Sequence, residues 1–171
     1  MDLELDLQVE QAGIEVPALA EFRRWVAAAL EGRRKRAELT IRVVGEGEGR
    51  ALNQRFRGQD KPTNVLSFPF EVPPGIDESD PIHYLLGDLV ICADLVHREA
   101  QDLGKPPGAH WAHLVVHGVL HLLDYDHLTD DEAAEMEGLE TTILGGLGFP
   151  PPYEPTAEPP THATGSLTSS S

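Results

Sequence analysis

Hydrophobic and polar positions alternate from the start of the chain. Leu3, Leu5, Leu7 and Val9 fall on one side and Asp2, Glu4, Asp6 and Gln8 on the other, which predicts a strand buried on one face. Behind Pro17, the residues Leu19, Phe22, Val26 and Leu30 recur at helical spacing and predict a helix ending near Leu30. Alternation returns at Leu39, Ile41 and Val43 as a second strand. A short helix over residues 51–56 and a strand over 64–68, stopped by Pro69, come next. Residues 71–83 are rich in Pro, Gly and Asp and read as a surface loop. The compact apolar run 86–92 predicts a strand buried on both faces.

The second half of the pattern is helical. One helix is expected to begin near Asp94, another to cover 109–123, and a third to follow Thr129. Thr129 with Glu132 forms a capping-box signature, and Asp130 and Asp131 sit where the helix dipole favours acids. Met136, Leu139, Ile143 and Leu147 give this last helix an apolar stripe, read as core packing. Strands interleaved with helices early and helices clustered late predict an α+β (α/β-like) domain over residues 1–150, with a small mixed β-sheet packed against helices. Residues 151–171 hold five Pro, four Ser and four Thr, a composition that predicts a disordered tail.

Length agrees with that outline, since 171 residues suit one domain with a core of its own. The single cysteine, Cys92, excludes an intramolecular disulfide and points to a reducing compartment. The first residues lack a basic and then apolar leader, and no apolar run approaches the roughly 18 residues of a membrane span. A soluble cytoplasmic protein without a membrane partner is expected.

The net charge of −16 argues against nucleic acid until its distribution is considered. Residues 23–61 carry 11 basic and five acidic side chains, against 2 basic and 24 acidic elsewhere. Such a basic island can attract a polyanion while the rest of the surface repels it. Arg33, Arg34, Lys35, Arg36, Arg55 and Lys61 are the candidate RNA contacts; charge alone does not separate them from a merely solvated face. The GEGEG run at 45–49 lacks the spacing of a phosphate loop, carries two acids, and reads as a flexible turn.

Five of the eight histidines lie between positions 110 and 127. His113, His117 and His121 repeat every four residues and share one helix face. They cannot all bind one ion, because His113 and His121 are about 12 Å apart along the axis. His117 and His121 are one turn apart and can converge, and His127 can join them where the chain turns back. This H-x3-H-x5-H pattern offers three nitrogen ligands and leaves a position open for water, as in catalytic zinc sites. Gly118 is read as keeping the vicinity of the ion open. Zinc-protease helices carry Glu after the first histidine as general base; Gly118 at that position counts against a metallopeptidase.

The segment HLVVHGVLHLLDYDH (residues 113–127) closely resembles the signature of the YbeY family, bacterial endoribonucleases also called rRNA maturation factors. LNQRFRGQDKPTNVLSFPF (52–70) and LGDLVI (86–91) agree with two further blocks of that family, in the same order. The resemblance implies a zinc-dependent endoribonuclease acting on single-stranded RNA in rRNA maturation, including 16S rRNA 3′-end processing, and in ribosome quality control. It makes His117, His121 and His127 the metal ligands and Arg57 the catalytic arginine, with zinc as the cofactor. RNA is the implied partner, with the ribosomal small subunit or ribosomal proteins as further candidates. A non-catalytic, metal-binding assembly factor remains the alternative.

Asp124 departs from the family pattern, which has Gly before Tyr-Asp-His, so a strained left-handed turn is expected there. His113 and Asp126 are candidates to support the ligands, with core packing for His113 and turn closure for Asp126 as the plainer readings. Asp60, Thr63, Asn64 and Ser67 are read as shaping the turn and groove rather than as performing chemistry. Asp88 is read as a buried structural acceptor, with a place in the cleft as the alternative.

Overall fold

The computed structural model describes residues 2–10, 13–57, 64–125 and 129–152. Their strands are β1 (Asp2–Val9), β2 (Arg36–Val44), β3 (Val65–Pro69) and β4 (Leu85–Cys92). The helices are α1 (Leu19–Leu30), α2 (Glu46–Arg57), α3 (Ala93–Leu103), α4 (Pro107–Leu122) and α5 (Asp130–Gly146). The sheet order is β1-β2-β4-β3, with β1, β2 and β4 parallel and β3 antiparallel to β4. This is the expected small mixed sheet of an α+β fold.

Register explains the main core. Leu5 pairs with Leu39 and Leu7 with Ile41, while Ile41 pairs in turn with Leu89 and Val43 with Ile91. One face of three strands thereby presents a continuous apolar surface, and α1, α4 and α5 cover it. Phe22 and Trp25 on α1 and Trp111 on α4 are fully or almost fully buried there, in edge-to-face contacts. A smaller cluster of Val44, Leu66 and Val90 lies apart, with Leu52 of α2 and Phe68 packed against it.

Helix α4 is apolar nearly all round because it is packed nearly all round. His110 near its start bonds Glu99 of α3 at 2.9 Å. Glu99 also accepts from Asn64 at 3.0 Å, and the Asn64 carbonyl accepts from the Cys92 N–H at the end of β4. Eight residues later, Gly118 lies against Leu89. Helix α4 therefore runs antiparallel to β4, and its last turn reaches the end of the sheet where β2 and β4 begin.

Three readings of the sequence need correction. The GEGEG run is not a turn, because residues 46–49 form the first turn of α2. Glu46 and Glu48 suit that helix start, Asp94 accepts the Glu46 N–H at 3.1 Å, and Gly49 packs on Cys92. Asp88 is exposed rather than buried; only the second half of β4, Leu89–Cys92, is buried on both faces. The loop expected over 71–83 also gives way at its end to a short 3₁₀ turn, Pro81–Tyr84, capped by Asp80. Of the predicted tail, residues 153–171 lie outside the described residues.

Candidate metal centre

Helix α4 places His113, His117 and His121 in a column that opens toward its end. His113 is buried, whereas His117 and His121 are partly exposed. The Nε2 atoms of His117 and His121 approach to 3.1 Å. Two nitrogens at 2.0–2.1 Å from one tetrahedral ion are about 3.3–3.4 Å apart, so the pair is spaced to share zinc.

The other side of the His117 ring is held by a residue the sequence reading missed. Glu140 of α5 is fully buried, and its Oε2 lies 2.5 Å from His117 Nδ1. Its Oε1 lies 3.0 Å from Nε2 of His113. Burial alone would raise the Glu140 pKa, but the hydrogen bonds and charges of His113 and His117 outweigh it and hold the carboxyl at about 2. Burial pushes the His113 imidazole down against the pull of Glu140. His113 is thus not isolated in the core; it shares a carboxylate with His117. A signal for Glu140 was present, since it interrupts the apolar stripe between Met136 and Ile143.

The turn after α4 follows from its backbone. Asp124 adopts φ 75°, in the left-handed region where glycine is favoured. The N–H of Tyr125 donates to the Leu120 carbonyl and that of Asp124 to the His121 carbonyl, both at 3.0 Å. These two bonds close a Schellman cap, and Tyr125 packs back on the core. The capping box of α5 also forms as expected, with both bonds between Thr129 and Glu132 at 3.1 Å.

His127 and Asp126 lie outside the described residues, as does Lys61. Among the described residues, no three His, Cys, Asp or Glu side chains gather as a metal site. The residues that are described fit a zinc site: two converging imidazole nitrogens, with a carboxylate behind one of them. Gly118 serves a different purpose from the one expected. A Cβ there would meet Leu89 Cδ2 at 2.8 Å, so the glycine admits β4 rather than clearing space around an ion.

The basic island is not one patch. Arg42 is paired with Glu10 at 2.8 Å and Glu48 at 2.6 Å. Arg23, Arg24 and Arg33 donate to the carbonyls of Leu3, Leu147 and Glu31. Arg34 and Lys35 are exposed in the turn that feeds β2, and Arg36 is exposed and stacks on Tyr84 at 4.5 Å. That turn lies at the same end of the sheet as the last turn of α4. Arg50 and Arg55 are exposed on α2, and Arg57 is its final residue. On the outer sheet face, a groove of about 600 Å³ is lined by Asp2, Glu4, Asp6, Glu38 and Asp88, with Arg23 the basic residue of its lining among the described residues.

The sequence profile described as Endoribonuclease YbeY matches residues 6–148. The chain belongs to the YbeY family. A YbeY relative, the Endoribonuclease YbeY of Alkalilimnicola ehrlichii, is 59% identical over 156 residues, covering 87% of this chain and 91% of that protein. The solution structure of TM1509 from Thermotoga maritima superposes with a TM-score of 0.54 at 23% identity, covering 85% of this chain and 91% of that one. This second likeness speaks for the fold alone.

Proposed function

We propose that this YbeY-family chain is a zinc-dependent endoribonuclease that cleaves single-stranded RNA during rRNA maturation, including the 3′ end of 16S rRNA, and in ribosome quality control. Endoribonuclease activity follows from the family. The observation that carries the metal centre is the convergence of His117 and His121 at 3.1 Å with Glu140 behind His117. His117, His121 and His127 would hold the ion, which would supply Lewis-acid activation of water and of a phosphoryl oxygen.

The chain's own groups do the rest. Arg57 engages the scissile phosphate through its forked guanidinium and offsets charge developing there. Arg34, Lys35 and Arg36 attract the RNA backbone toward the end of the sheet where α4 finishes, and Arg33, Arg55 and Lys61 extend that attraction. The acidic groove repels RNA and suits a basic protein segment, which supports a ribosomal protein of the small subunit as a further partner. The cytoplasm, where ribosomes assemble, is the proposed location; among the described residues, no helix is long and apolar enough to cross a membrane.

A metallopeptidase is disfavoured on the same geometry. The residue after His117 is Gly118, and the carboxylate beside the site, Glu140, is fully buried against His113 and His117. It is not placed to act as a general base. The test sets a labelled single-stranded rRNA fragment beside a casein-type peptide, with and without chelator. RNA cleavage that the chelator abolishes, with the peptide intact, is expected. Peptide cleavage would support the peptidase, and zinc binding without cleavage of either would leave an assembly factor.

A further inference from the structure

Glu140 stands out as an acid buried without any exposure on a helix face otherwise given to Met136, Ile143 and Leu144. Burying a carboxylate is costly unless hydrogen bonds compensate, so its partners define its purpose. Both oxygens are directed at α4: Oε1 to His113 Nε2 and Oε2 to His117 Nδ1. A carboxylate accepts and cannot donate, so the nitrogen facing it must carry the proton.

We propose that Glu140 is a positioning residue that locks His117 in its Nδ1–H tautomer, with His113 steadying the second carboxylate oxygen. The proposal rests on the metal reading of His117 and His121. A neutral imidazole has one protonated and one bare nitrogen. With the proton on Nδ1, the lone pair lies on Nε2, the atom that faces Nε2 of His121 at 3.1 Å. With the proton on Nε2, that nitrogen could not ligate. Packing alone would not select between the two, since the ring has the same shape in both; the acceptor selects. Helix α5 thereby takes part in the site without supplying a ligand, and the capping box at its start helps to hold Glu140 in place.

His113 gives the arrangement its specificity. It lies one turn before His117, and its ring is 6.3 Å from that of His117, centroid to centroid. By donating to Oε1 it leaves Oε2 aimed at His117, so the carboxylate cannot rotate to satisfy either ring at random.

The test records ring-nitrogen NMR of His117 in zinc-free protein and zinc affinity by chelator competition, for wild type and Glu140→Gln. The wild type should show Nδ1 protonated and Nε2 bare, and Glu140→Gln should lose that preference and bind zinc about 10- to 100-fold more weakly. Wild-type His117 in the Nε2–H form would overturn the proposal. A folded Glu140→Gln with unchanged tautomer and unchanged zinc affinity would overturn it as well. If Glu140→Gln does not fold, the wild-type tautomer decides. Wild-type protein that binds no zinc yet holds the Nδ1–H form would end the metal reading and leave the tautomer lock standing.

Discussion

Gly118 and Leu89 touch where α4 crosses β4, so closely that a methyl group on the glycine would lie 2.8 Å from a Leu89 methyl. Leu89 is fully buried and cannot swing away cheaply. This contact sets how deep α4 sits on the sheet, and His117 is the preceding residue.

Gly118→Ala therefore tests the packing through the sign of its effect. Alanine is favoured over glycine by about 0.8–1.0 kcal/mol within a helix. Forcing an extra methyl into a packed core costs about 1–3 kcal/mol. The clash should outweigh that gain, giving a net loss of up to about 2 kcal/mol in denaturant unfolding. A stabilised Gly118→Ala would mean that α4 does not press on Leu89.

Asp124→Gly should act in the opposite direction. Left-handed backbone costs ordinary L-residues about 1–2 kcal/mol, though Asp is more tolerant than most. Glycine should recover about 0.5–1 kcal/mol and raise Tm by roughly 2–4 °C per kcal/mol in a chain of this size. Thermal unfolding of wild type, Asp124→Gly and Asp124→Val checks it, with the valine variant the least stable.

The metal ligands are tested by elemental analysis. The purified chain should carry about one zinc, and His117→Ala, His121→Ala and His127→Ala should each lose it. Stoichiometric metal retained in all three variants would contradict the assignment, as would loss in His113→Ala but not in His127→Ala.

Much of this architecture was legible because it depends on local periodicity. The alternation in β1 and β2 and the Thr129–Glu132 box are patterns within a few residues, and the left-handed turn at Asp124 follows from the glycine of the family signature; each forms as read. The failures share a different cause, which is that they depend on what lies across the fold. The glycines at 47 and 49 enter a helix because Asp94 and Cys92 are there to receive it. Asp88 is exposed because it opens into the groove on the outer sheet face, at the margin of the Leu66–Val90 cluster, where Phe68 is its cross-strand partner. Counting charges along residues 23–61 could not reveal that Arg42 is already neutralised by Glu10 and Glu48. Glu140 was missed for the same reason: its partners are 23 and 27 positions away.

RNA affinity should reside in the exposed turn before β2 more than in the island as a whole. Reversing Arg34, Lys35 and Arg36 to Glu should weaken binding to all single strands. If each contacts one phosphate, the salt dependence should fall by about 2, at about 0.7 per contact. Arg42→Ala should change affinity little. Binding that is flat with salt and indifferent to the triple reversal would make the turn a solvated surface.

Arg57→Ala should leave fold and zinc content intact yet slow single-turnover cleavage by about 100- to 1,000-fold, the usual cost of removing a donor aimed at transition-state charge. Arg57→Lys should recover only part, because an ammonium lacks the forked contact. Cleavage at the wild-type rate in Arg57→Ala would reduce it to a docking residue.

The most direct test of the whole account is single-turnover cleavage of a labelled single-stranded rRNA fragment by zinc-free protein, with zinc titrated back. The rate should rise from near zero and level off at about one equivalent per chain, and His117→Ala should not respond. Full cleavage by the zinc-free protein, or by His117→Ala at any zinc concentration, would contradict a metal centre built on His117 and His121.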